Sequence, residues 1–209
     1  LSSSVYFTQG IEALPSQGLF YYLKETLHFS PQKIMVISSI PVFAWLIKPL
    51  IGYFIDNLFT KRSWIFASLA LDIILVLLLG LVQMPLLVLI LLLAVNSADS
   101  AFRDVAVDGI MCIEGKKYNA TGKIQSIQWI SLSLAGIITG VGGGYLAEVW
   151  GYKGAFLTLI PVYVLVALPA YFYRETIIRE AQSPGLGKDL KVLFADRQLL
   201  LVCLFIFLY

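Results

Sequence analysis

Residues 86–112 read LLVLILLLAVNSADSAFRDVAVDGIMC, and how this stretch is understood decides how the rest of the chain is understood. Leu86 to Val95 are aliphatic without exception. Wound as a helix at 1.5 Å per residue, the 27 residues reach about 40 Å, more than the roughly 30 Å hydrocarbon core of a bilayer. The second half then turns polar, with Asn96, Asp99, Ser100, Arg103, Asp104 and Asp108. On a helix Asp99 and Arg103 lie about 40° apart, and so do Asp104 and Asp108 on a nearly opposite face. Holding one ion inside hydrocarbon costs at least about 2–3 kcal/mol, so four in one span need partners and a reason. The spacing predicts that Arg103 pairs with Asp99 one turn earlier. Asp104 and Asp108 are then left in want of a proton or another cation, for which Lys48 in the preceding apolar stretch is the candidate.

The composition of the whole chain agrees with lipid as its solvent. Of 209 residues, 59% are hydrophobic and 13% charged, with a mean hydropathy of +0.84. Soluble domains carry about 25% charged residues. The apolar runs are long and continuous, which favours helices over the alternating segments of about ten residues found in barrels. A net charge of +2 gives no footprint for nucleic acid. Cys112 and Cys203 share no motif spacing. No metal-ligand cluster, nucleophile elbow or phosphate loop is present, and Gly142-Gly143-Gly144 lacks the Gly-Lys-Ser/Thr that a nucleotide loop needs. Neither an enzyme nor an ATP-driven pump is indicated, and no cofactor or metal is called for.

Six spans are expected, at about 4–24, 31–55, 64–82, 86–112, 121–148 and 154–172. Ser30-Pro31 reads as a helix start, a capping hydroxyl before a first-turn proline. A six-helix bundle over residues 1–173 is then followed by a polar linker over 174–197. Residues 198–209 begin a seventh span, so the natural protein is expected to continue. Basic residues set the orientation. Lys61, Arg62, Lys116, Lys117, Lys123, Arg174, Arg179, Lys188, Lys191 and Arg197 fall on one side, against Lys24, Lys33 and Lys153 on the other. The richer side is cytoplasmic. This places the amino terminus and loops 56–62, 113–121 and 174–197 in the cytoplasm, and the sequon Asn119-Ala120-Thr121 is expected to stay unglycosylated.

An internal repeat supports a two-fold design. Gly52-Tyr53-x-x-Asp56 with Lys61 recurs as Gly144-Tyr145-x-x-Glu148 with Lys153, at the same place in each three-helix unit. Three crossings separate the copies, so their orientations are opposite, the pattern of an inverted repeat in secondary transporters. Gly52 would allow close helix approach, while Asp56 at the membrane edge can hold a cation such as Lys61 or Arg62 and shut one face. Glu12 lies mid-span in the first helix as a proton or substrate group. Asp72 in the third span is expected to be structurally paired. Gly136, Gly140 and Gly144 form a small-residue ridge suited to close packing. Gln125, Gln128 and Trp129 enter the fifth span, able to hydrogen-bond or stack on a planar ligand.

Gly52-x-x-x-Asp56-Asn57 followed by Lys61-Arg62 resembles the signature loop of the major facilitator superfamily, with Asn57 where an arginine is usual. Tyr6-Phe7-x-Gln9-Gly10 with Tyr21-Tyr22-Leu23-Lys24, Trp45-x-Ile47-Lys48-Pro49-Leu50-x-Gly52, Arg103-Asp104-Val105-x-Val107-Asp108-Gly109 and Gln125-Ser126-Ile127-x-Trp129 resemble the folate–biopterin transporter family within it. The resemblance implies an all-α membrane protein, this chain being the amino-terminal 3+3 bundle of a transporter of about twelve helices. It also implies uptake of folate- or pterin-like organic anions with protons. The partners are then that anion, protons, lipid and the carboxy-terminal half of the same transporter. In this reading Glu12, Lys48, Arg103, Asp104, Asp108, Gln125 and Trp129 bind substrate or protons, while Gly52, Asp56, Lys61 and Arg62 gate. A muropeptide-type permease ranks second, and a non-transporting receptor on a transporter scaffold is the rival of another class.

Overall fold

The computed structural model describes residues 1–175, 195–198 and 200–201. The expected linker and the start of a seventh span lie almost wholly outside the described residues. Residues 1–175 pack as one unit, and every element in it is helical.

The first span is broken where its sequence is weakest. Helix α1 (Ser2–Ile11) gives way to a turn at Glu12, and α2 (Pro15–Tyr21) resumes beyond it before a π-helical turn, Tyr22–Thr26. Pro15 has no N–H to offer, and its ring would clash with the carbonyl four residues back. The ladder therefore tightens to bonds from Leu14 to Ile11 and from Ser16 to Ala13.

The second span is continuous but changes pitch. Helix α3 (Pro31–Ser39) starts with the Ser30 side chain accepting the Lys33 N–H, as its sequence predicts. A 3₁₀ stretch, Ile40–Ile47, follows, and α4 (Lys48–Asn57) completes the rod. Pro41 and Pro49 bracket the 3₁₀ stretch, and each removes an i→i−4 bond. Ser97 of the fourth span holds the stretch in place, donating to the Pro41 carbonyl at 2.7 Å and accepting from the Trp45 indole at 3.0 Å.

The remaining elements are α5 (Lys61–Leu81), α6 (Leu86–Lys117), α7 (Thr121–Leu157) and α8 (Leu159–Phe172). Among the described residues, four rods are long and apolar enough to cross a membrane: Pro31–Asn57, α5, α6 and α7. Helix α7 is interrupted at Gly151, whose φ of +62° is open to glycine at little cost, and the chain there turns from the fifth span into the sixth. The loops are shorter than the sequence suggests. Lys116 and Lys117 form the last turn of α6 rather than a loop, where cations favour the helix carbonyl end. Asn119 takes a left-handed conformation in the turn beyond.

Helix α6 is the central rod, packed against α1, the 3₁₀ stretch, α4 and α5, while α7 runs along α1 and α2. The core is rich in small residues: Ala101, Ala106, Ala135, Ala155 and Ala170 are all fully buried. That fits helices that associate by close van der Waals contact in lipid. Large apolar side chains such as Met35, Leu46, Leu87 and Val141 are exposed, the inverse of a water-soluble surface. On the expected ridge of Gly136, Gly140 and Gly144, close approach is confined to Gly144, where a Cβ would lie 3.0 Å from the Gln17 side chain, and is missing at Gly136 and Gly140. A Cβ added at either would meet nothing within 4 Å. Gly10 makes the tighter contact, where a Cβ would lie 2.5 Å from that of Ala135.

Candidate functional site

Two charged clusters and a cavity are strung along α6. The first is centred on Arg103, whose side chain is 1% exposed. One guanidinium nitrogen pairs with Asp72 of α5, and the other pairs with Glu12 at the break in the first span. Asn96 donates to the other Asp72 oxygen at 2.9 Å, and Ser100 donates to the other Glu12 oxygen at 2.9 Å. The guanidinium carbon lies 5.7 Å from the centre of the Tyr163 ring. This corrects the expected pairing of Arg103 with Asp99. Asp99 points toward α5 and accepts the Ser68 hydroxyl at 2.7 Å, while Arg103 joins carboxylates from two other spans. Spacing within one helix cannot reveal partners supplied by neighbouring helices. Asp72 is paired, as expected, and stands at the middle of the cluster.

In the second cluster, Lys48 at the start of α4 pairs with Asp104, as the sequence predicts. Asp108, one turn on, accepts the Tyr6 hydroxyl at 2.8 Å. The Lys48 ammonium sits 4.6 Å from the centre of the Trp45 ring. Gln128 of α7 is fully buried with its side chain near Asp108. Gln125 and Trp129 lie apart from both clusters, exposed on α7. Tyr6, Ser68 and Trp45 are the contributors the charge pattern did not single out, because none carries a charge.

A cavity of about 310 Å³ opens between the broken first span, the 3₁₀ stretch and α6. Gln9, Glu12, Trp45, Asn96, Ser97 and Ser100 form its more polar side, and Phe20, Leu23 and Leu93 are among its apolar lining. Discontinuous helices at a membrane protein's midplane expose backbone and side chains to ligands in this way. Among the described residues no cluster of His, Cys, Asp and Glu fits a metal ion.

A third polar group sits at the ends of α4, α5 and α8. Asp56 and Lys61 form an ion pair at 2.9 Å. The Lys61 stem runs so close to Gly109 that a Cβ there would lie 2.4 Å from it. Glu175 accepts the backbone N–H groups of Lys61 and Arg62 at 3.0 and 2.8 Å, capping α5. Arg62 in turn donates to the Ala170 and Tyr171 carbonyls at 3.1 and 2.7 Å, capping α8. Tyr173 donates to Glu114 at 3.1 Å, and partial burial together with that carboxylate pushes its phenol above the ordinary value. Gly52 packs toward Val105 with ordinary clearance. In the repeat's second copy, Glu148 and Lys153 form no ion pair among the described residues. The two copies match in sequence and not in this contact.

Fold and site together define an integral, multi-pass α-helical membrane protein with ionised groups held between its spans. Comparison with known proteins narrows this further. A family model described as the BT1 family matches residues 9–202, and the chain belongs to that family. The "Probable folate-biopterin transporter 4" of Arabidopsis thaliana is 29% identical over 174 residues, covering 78% of this chain and 35% of that protein. The "Folate-biopterin transporter" of Synechocystis is 26% identical over 228 aligned residues, covering 99% of this chain and 44% of that protein. The chain thus spans less than half the length of these curated relatives. No solved structure matches.

Proposed function

We propose that the complete protein moves folate- or pterin-like organic anions across a membrane by alternating access, coupled to protons. This chain forms one wall of the path, and a carboxy-terminal half forms the other. The relatives' names support the substrate class and rank it above muropeptides.

The observation that carries the mechanism is the Lys48–Asp104 pair. The Lys48 side chain is 34% exposed while that of Asp104 is 5% exposed, so the cation is reachable and the carboxylate is not. A substrate carboxylate arriving at Lys48 displaces Asp104. An unpaired carboxylate at that depth costs several kcal/mol, so Asp104 takes up a proton as the anion binds. Anion and proton then travel together. Asp108 and Tyr6, one turn along, offer the proton its next acceptor and donor. On the side assigned to the cytoplasm, the Asp56–Lys61 pair and the Arg62–Glu175 caps hold α4, α5 and α8 together, and this set opens when the halves rock.

The test is uptake of labelled folic acid, biopterin and a muropeptide by the complete transporter in proteoliposomes, with and without a pH gradient. Folate or biopterin should accumulate only with the gradient. Asp104→Asn should equilibrate substrate without concentrating it. Accumulation that ignores the gradient removes proton coupling, and transport of the muropeptide alone removes the substrate class. Stabilisation by folate with no flux would favour a receptor.

A further inference from the structure

We propose that the cavity between the broken first span and the 3₁₀ stretch is a subsite for an uncharged, amino-substituted nitrogen heterocycle, separate from the Lys48 site that takes the anionic end. The inference rests on the substrate class proposed above and assigns the two ends of that substrate to two places.

The polar wall of the cavity is rich in acceptors. Glu12 is 12% exposed at its lining and has one oxygen on Arg103 and the other on Ser100. A carboxylate has about four lone-pair positions, so capacity remains on both oxygens. Asn96 gives one amide N–H to Asp72, which fixes the side chain's sense and leaves its carbonyl oxygen as an acceptor beside a second N–H. The Ser97 hydroxyl proton is spent on the Pro41 carbonyl. Two lysines border the lining without entering it: Lys48 lies 4.6 Å from the centre of the Trp45 ring and Lys24 lies 6.0 Å from that of Phe20. An anion entering the cavity itself would meet Glu12, so the wall repels anions and suits a group that donates.

The remaining lining fits a flat ring. Trp45 and Phe20 offer aromatic faces, with Leu23 and Leu93 completing an apolar slot. At about 30 Å³ per water, 310 Å³ is roughly ten waters' worth of space, enough to admit a fused two-ring heterocycle. A ring with adjacent N–H and NH₂ groups can present both donors to one carboxylate, a two-point contact. The side arm has somewhere to go. Ser100 and Asp104 are one helical turn apart, about 6 Å along α6, and Trp45 both lines the cavity and carries Lys48 on its face.

The probes are pterin, which bears the 2-amino donor, and lumazine, which has an oxo acceptor in its place. Their inhibition of labelled folate uptake by the complete transporter in proteoliposomes is compared, along with thermal stabilisation of the detergent-purified protein. Pterin should bind on the order of tenfold or more tightly than lumazine, because lumazine leaves an acceptor facing Glu12. Leu93→Trp, which fills the slot, should abolish pterin binding and spare that of the anionic arm p-aminobenzoylglutamate. That retained binding also shows the variant is folded. Glu12→Gln should bring the two rings toward parity. Equal binding of pterin and lumazine, or pterin binding untouched by Leu93→Trp, overturns the subsite. Folate transport with no pterin binding overturns the subsite and leaves the transport reading standing. Pterin-selective stabilisation with no folate flux does the reverse.

Discussion

Replacing Arg103 by Met is the sharpest test of the buried network. The substitution keeps most of the side-chain volume but leaves two carboxylates without a cation, Asp72 at 0% and Glu12 at 12% exposure. Removing one partner of a buried pair costs about 3–5 kcal/mol, because the other charge stays buried and uncompensated. Two stranded acids put Arg103→Met at the upper end of that range. Neutralising all three groups together, with Glu12→Gln and Asp72→Asn added, should recover most of the loss, since the polar atoms then satisfy one another. Arg103→Lys should fall between, because one ammonium cannot reproduce the planar fork that serves Asp72 with one nitrogen and Glu12 with the other. Lys48→Met should cost less than Arg103→Met, as water already screens a third-exposed lysine. The assay is reversible denaturation of the detergent-purified complete protein. An Arg103→Met variant within about 1 kcal/mol of wild type, or a triple variant no more stable than the single, would refute the reasoning.

Three further outcomes are expected. Gly10→Val should lose about 1–3 kcal/mol by overpacking against Ala135, whereas Gly136→Ala, facing open space, should be neutral or slightly stabilising in the same melts. Glu175→Ala should cost about 1–2 kcal/mol and speed amide exchange in the first turn of α5, where the Lys61 and Arg62 N–H groups lose their acceptor. Expressed in a eukaryotic cell, the sequon at Asn119 should carry no glycan while one engineered between Thr26 and Ser30 does; a glycan on Asn119 would reverse the assigned orientation.

The four long spans were legible in the sequence because hydropathy and length are summed over many residues, so errors of a few positions do not matter. Ser30 at a helix start and Lys48 with Asp104 were legible for a different reason: a cap is local, and a lone cation in a neighbouring span has few acids to choose from. Arg103 was assigned to Asp99 because a single helix shows only its own periodicity. Its actual partners, Glu12 and Asp72, lie 91 and 31 residues away in sequence and meet it through packing alone. The glycine ridge misled at Gly136 and Gly140 for a related reason. Spacing identifies which residues share a face but not what that face meets, and close contact fell to Gly10 and Ala135. The 3₁₀ stretch was implicit in Pro41 and Pro49, yet two prolines equally allow a kink, and Ser97 decided between them from another helix.

That eight-residue stretch gives the second span the character of a screw thread. Three residues per turn against 3.6 is a difference of about 20° at each step, and 2.0 Å of rise against 1.5 is about half an ångström. Rewound as α-helix, the stretch would rotate everything beyond it by roughly 160° and draw it in by about 4 Å. Lys48 is the first residue past the thread, so an ammonium that meets α6 in one winding turns its back on it in the other.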